Sequence, residues 1–143
     1  MKEIIEKLAE LRGKSFKFNF KSNDESLFWR EGKKIMNMTV LSTSALIEEI
    51  HRCGYSILED YLTEDLISVV SKTSLTHLSS TPSDFNVFIH INVAEVEENK
   101  VSFLGEVFDE VNKVAKFEFM RIIVSKNFME RKIKEKREKI QKY

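Results

Sequence analysis

The sequence is poor in the residues that staple, break or anchor a chain. Its 143 residues include one cysteine, one proline and four glycines. A lone Cys53 excludes an internal disulfide and any multi-cysteine zinc site. No apolar run approaches the ~20 residues of a membrane span, and the N-terminus has no signal-peptide core. Charge of one sign is missing too: 23 basic residues balance 23 acidic ones. A global field that would draw the chain to nucleic acid or anionic lipid is therefore absent. The expectation is a reduced, cytoplasmic protein with neither a membrane nor a nucleic acid as partner.

Hydrophobic residues make up 42% and charged residues 32%, which suits a globular fold and is too apolar for disorder. The length fits one domain, expected as an N-terminal helix over 1–13, a core over 14–125 and a charged helix over 126–143. No internal repeat or low-complexity linker interrupts it.

Between Lys2 and Arg12, Ile4, Ile5, Leu8 and Leu11 recur at helical spacing, and Gly13 follows as a stop. Phe16, Phe18 and Phe20 then alternate with polar residues, predicting a half-buried strand. The stretch from Ser22 to Met38, which holds Trp29, has no period and reads as a covering loop. From Leu46 to Tyr61 a broad apolar stripe (Leu46, Ile47, Ile50, Cys53, Ile57, Leu58) predicts a long helix. Ser42, Thr43 or Ser44 can cap it. Gly54 inside it implies a kink or a close backbone approach.

Beyond Asp65 the chain is rich in β-branched and aromatic residues over Ile67–Leu78, Phe85–Val96, Val101–Phe108 and Val114–Val124. The segments 97–100 and 109–113 are turn-like, so four antiparallel strands follow the long helix. The tail from Lys126 interleaves Lys, Arg and Glu, which predicts a solvated helix.

Two segments carry a family resemblance. Val40-Leu41-Ser42-Thr43-Ser44-Ala45-Leu46-Ile47 resembles the strand-to-helix junction of the fluoroacetyl-CoA thioesterase-like hotdog family. Thr76-His77-Leu78-Ser79-Ser80-Thr81-Pro82 is similar to that family's T-H-x-x-x-T-P segment. Arg121-Ile122-Ile123-Val124, with Phe128 beyond, resembles its closing strand. The likeness spans Phe16 to Glu130.

The resemblance implies an α+β hotdog fold: a five-stranded antiparallel sheet wrapped round a long central helix, here with helices added at both ends. It also implies a homodimer that binds an acyl-CoA thioester at the subunit interface. The family's catalytic Thr falls on Thr43 and its His on His77, while its Glu position is occupied by His51. The stretch whose backbone helps hold the thioester carbonyl falls on Val69-Val70-Ser71, where the family's Gly is missing. Gly and His positions of the closing strand read as Ala115, Phe117 and Phe119.

Thioester hydrolysis needs a nucleophile or activated water, a base, and donors for the developing oxyanion. Imidazole titrates near neutral pH, so His77 suits the base. Thr43 either caps the helix or faces the thioester. With Ser42 and Ser44 beside it, the helix N-terminus offers free N–H groups to the substrate. Val70 and Ser71 complete the expected binding residues. His51 either pairs with His77 in place of the Glu or packs without catalytic duty.

The three histidines lack metal-ligand spacing, so neither a metal nor a cofactor is expected. His90 alternates with Ile89 and Ile91 and faces the other layer. Arg121 reads as a phosphate contact or a strand-exposed surface charge. Two functions are carried forward: an acyl-CoA thioester hydrolase, and a non-catalytic acyl-CoA-binding module that has lost the acid.

Overall fold

The computed structural model describes residues 1–35 and 37–141. Helix α1 (Lys2–Ala9) is followed by strand β1 (Ser15–Lys21), whose three Phe rings sit half-buried on one face. Gly13 makes the corner between them at φ +82°, and its N–H donates to the Val93 carbonyl. Two short 3-10 turns, Glu25–Leu27 and Lys33–Ile35, punctuate the covering loop.

Helix α2 (Thr43–Glu59) starts at Ser42, whose Oγ accepts the Ala45 N–H at 3.0 Å. Its buried side, Leu46, Ile50, Cys53, Ile57 and Leu58, lies against the sheet. Each such large aliphatic side chain contributes roughly 1.5–3 kcal/mol by leaving water.

Strands β2 (Leu66–His77), β3 (Asn86–Glu97), β4 (Lys100–Phe108) and β5 (Lys113–Ser125) complete one antiparallel sheet in the order β1-β3-β4-β5-β2. A five-stranded antiparallel sheet round a long helix is the α+β hotdog arrangement expected above. Its inner layer (Val87, Ile89, Ile91 and Val93 on β3, Val101, Phe103 and Val107 on β4) is buried to 1% exposure or less. Gly105 permits one close crossing: a Cβ there would stand 2.1 Å from the His90 carbonyl oxygen. Helix α3 (Lys126–Gln141) is mostly exposed, and residues 142 and 143 of the expected tail helix lie outside the described residues. No helix among the described residues is long and apolar enough to cross a membrane.

One irregularity decides what the edge strand presents. Up to Val70, the even-numbered residues of β2 face inward, with Ser68 opposite Ile123 and Val70 opposite Arg121. The register shifts between Val70 and Lys72, leaving Ser71 as an extra residue. Beyond it the odd-numbered residues oppose the inner layer: Thr73 faces Phe119, Leu75 faces Phe117 and His77 faces Ala115. A bulge reverses the sequence parity of a strand while its face stays put. Thr73 and His77 look towards α2 for that reason.

Candidate functional site

The start of α2 and the end of β2 are tied together by the loop between β2 and β3. Leu41 N–H donates to the Thr81 carbonyl at 2.9 Å, and Val40 bridges to Pro82. The Thr81 hydroxyl, fully buried, donates to Asp109 Oδ2 at 3.0 Å. Asp109 Oδ1 in turn accepts the Val111 and Asn112 N–H groups at 2.8 Å each. Asp109 was legible in sequence only as a turn residue. It anchors the loop that sets the helix start against the last strand residues.

That anchoring brings Thr43 and His77 together. Thr43 Oγ1 and His77 Nδ1 are 2.7 Å apart. Because Ser42 supplies the cap, the Thr43 hydroxyl is free for this contact. His77 Nε2 is buried and has no hydrogen-bond partner. Burial holds the His77 pKa below its usual value, with the Ser79 backbone pulling the other way. The imidazole is therefore neutral near pH 7. First-turn N–H groups of Thr43 and Ser44 have no partner within the helix, and both residues are exposed.

His51 does not join this pair. Its Nε2 lies 2.8 Å from Thr73 Oγ1, and its ring meets Phe119 edge-on at 5.2 Å. Thr43 to His51 is eight residues of helix, ~12 Å at 1.5 Å per residue. Thr73 to His77 is four residues of strand, ~13 Å at 3.3 Å per residue. Helix and strand thus run side by side in opposite directions, joined at each end by a hydroxyl–imidazole pair. Desolvation lowers the His51 pKa first and Arg121 second, while Glu48 opposes them. A His51–His77 pair, one of the two readings of His51, is not made within the chain, because the two imidazoles stand at opposite ends of this helix–strand pair.

Of the two sequence readings of Arg121, the strand-exposed surface charge is ruled out, since it is 7% exposed. Its Nη1 donates to the Ser68 carbonyl and hydroxyl at 3.0 Å each, and its Nη2 to the His51 carbonyl at 2.9 Å. Its Nε is buried without a partner, and the Tyr55 ring stands 5.6 Å from its guanidinium. Arg121's tie to Ser68 and His51 was not foreseen, and Thr73 was missed as a member of this region. The odd-residue parity of Thr73, Leu75 and His77 after Ser71 was the available signal.

Val70 is half-buried beside Arg121, and Ser71, the bulge residue, is exposed with its hydroxyl 3.4 Å from the Met120 carbonyl. The two expected binding residues therefore sit at the break in the ladder, Ser71 being the extra residue and Val70 the one before it. Ala115, Phe117 and Phe119 line the buried inner face of β5. Cys53 is 6% exposed, and burial pushes its thiol up to about 12. His90 is exposed on the outer face beside Phe108. Among the described residues no group of three metal-ligating side chains converges.

Fold and site together define a hotdog domain with a hydroxyl–imidazole pair at the junction of its central helix and edge strand. Solved structures share the fold. A hot-dog-like protein from Thermanaerovibrio acidaminovorans superposes with a TM-score of 0.81 at 24% identity, over 90% of this chain and 96% of that one. A Thermus thermophilus thioesterase superfamily member gives 0.81 at 17% identity, over 92% and 96%. The fluoroacetyl-CoA thioesterase FlK gives 0.78 at 18% identity, over 87% and 96%. No curated protein matches the chain in sequence. The family described as FlK, fluoroacetyl-CoA-specific thioesterase, matches residues 23–127, and the chain belongs to that family.

Proposed function

We propose that the protein hydrolyses an acyl-CoA thioester, with Thr43 and His77 at the reacting centre. The observation that carries this reading is the 2.7 Å contact between Thr43 Oγ1 and Nδ1 of a neutral His77. In this reading Thr43 Oγ attacks the thioester carbonyl carbon as its proton passes to His77 Nδ1. The C–S bond breaks, and that proton leaves with the CoA sulfur. Water, deprotonated by the same imidazole, then releases the acid and restores the Thr43 hydroxyl. Thr43 and Ser44 N–H groups at the helix N-terminus, near Ser42, suit the oxyanion. Val70 and Ser71, at the bulge, are the further substrate-binding positions.

His51 cannot assist from its own chain, about 12 Å along the helix. A homodimer removes that obstacle. Strand β2 is an edge of the sheet, and two such edges pairing antiparallel would set each Thr43–His77 pair near the partner's helix. A binding-only reading has one observation in its favour: where the family has Glu, this chain has His51, and His51 is bonded to Thr73.

Thiol release from a panel of acyl-CoA esters tests both, with wild type run beside His77→Ala and His51→Ala. Turnover lost in the His77 variant supports the hydrolase. CoA-ester binding without release from any ester refutes it and leaves the binding module.

A further inference from the structure

The covering loop lines an open groove of about 530 Å³, larger than the 340 Å³ cleft between Phe16 and Tyr61. That volume lies in the ~300–1,000 Å³ range of small-molecule sites. Its walls carry Phe28 and Trp29 together with Arg30 and Lys33. Trp29 is 38% exposed, so part of its indole is open to the groove. Neither Arg30 nor Lys33 forms an ion pair among the described residues. Glu25 is the one acid lining the groove, and its backbone carbonyl accepts from Arg30 Nη2.

The groove is stitched to the reacting centre. Phe28 bridges Leu41, and Trp29 N–H donates to the Val40 carbonyl at 2.8 Å. Thr39, also in its wall, has φ +44°, unusual for a β-branched residue. It is held there by the Ser83 N–H on its carbonyl at 2.9 Å. From Thr39 to Thr43 the backbone spans at most ~14 Å.

We propose that this groove receives the nucleotide end of coenzyme A, the adenine on Trp29 and the phosphates on Arg30 and Lys33. The assignment rests on the acyl-CoA reading above and names where that ligand's charged end is held. The open part of the indole accepts a purine by stacking. Neither cation is held in an ion pair among the described residues, although Arg30 lies close enough to Asp24 to reinforce the Ser26 hydrogen bonds that lower its pKa. Both suit phosphate, and Arg can engage it with two parallel N–H groups. The acyl end, with no need of cations, is left to the Thr43–His77 region.

Trp29 is the only tryptophan, so its fluorescence reports this groove directly. The full chain is titrated with CoA and with adenosine 3′,5′-bisphosphate, which lacks the pantetheine arm. Both produce a saturable change, and Arg30→Gln and Lys33→Gln each weaken it roughly three- to tenfold, with unchanged circular dichroism. If the esters are turned over, the double variant raises KM for the CoA ester, leaves kcat, and leaves the pantetheine ester unaffected. A response that follows acyl-chain length instead of the nucleotide overturns the proposal, as does one indifferent to both substitutions. Saturable binding without turnover refutes hydrolysis and leaves this assignment standing. Turnover with equal KM for CoA and pantetheine esters does the reverse.

Discussion

Adjacent hydroxyls at the start of α2 have separable duties, and substituting each in turn exposes the division. Ser42 accepts the Ala45 N–H, whereas Thr43 meets His77 Nδ1. Ser42→Ala removes a cap worth ~1 kcal/mol, which lowers Tm by roughly 2–4 °C in a chain of this size. The helix start stays anchored, because the Ser42 N–H still donates to Leu27 and the Leu46 N–H to Ser42. A weakened cap therefore subtracts at most about fivefold from turnover. Thr43→Val keeps the branched shape, so its cost in stability is only a partly exposed hydrogen bond, ~0.5–1.5 kcal/mol. Its turnover falls by at least roughly 10²–10⁴, because the attacking hydroxyl is lost together with its proton transfer to His77. Thr43→Ser restores the hydroxyl and most of the rate. Thermal melts and thiol release on the same preparations check both halves. Equal losses of turnover in Ser42→Ala and Thr43→Val, or a Thr43→Val enzyme within fivefold of wild type, would refute the reasoning.

Three further perturbations follow from the packing. Gly54→Ala gains ~1 kcal/mol of helix propensity but puts a Cβ 2.7 Å from the Phe119 ring. Phe119 is 3% exposed and stacked on Phe103 at 4.8 Å, so overpacking prevails and the melt shows a net loss of ~1–2 kcal/mol; a stabilised variant contradicts this. Deleting Ser71 leaves Lys72 to His77 on their present β5 partners, so the fold persists while turnover drops with the bulge's displaced backbone; full activity in the deletion removes the bulge from the site. Both His51 and His77 have folded pKa values below 6.5, so the unfolded chain binds more protons below that pH. Their contribution is complete above about pH 6.5 and is lost as pH falls below it. Urea denaturation at pH 7.5 and 5.5 should show a loss that His51→Gln/His77→Gln reduces, and an unchanged pH dependence speaks against buried neutral imidazoles.

Much of the architecture was legible because it rests on periodicity. The 3.6-residue recurrence of Leu46, Ile50, Cys53 and Ile57 and the strict alternation of Phe16, Phe18 and Phe20 specify their elements locally. The site was half legible. Thr43 and His77 stand on matched motifs, and the structure brings their side chains into contact. His51 was read as either pairing with His77 or packing without catalytic duty, and its partner Thr73 was not foreseen.

Sequence alone determined what depends on neighbours along the chain: the helix and strands, the capping cluster, the turns, and, with one cysteine, the lack of an internal disulfide. Tertiary structure decided what depends on residues far apart. Arg121 is buried although its charge argues for the surface, because Ser68 and the His51 carbonyl, 53 and 70 residues away, accept its N–H groups. Ser71 slips the parity of β2 because its partner strand has no matching residue. Asp109 becomes an anchor only where the β4–β5 turn meets Thr81. A hydrogen bond or a bulge is a property of two segments at once, and one segment read by itself does not contain it.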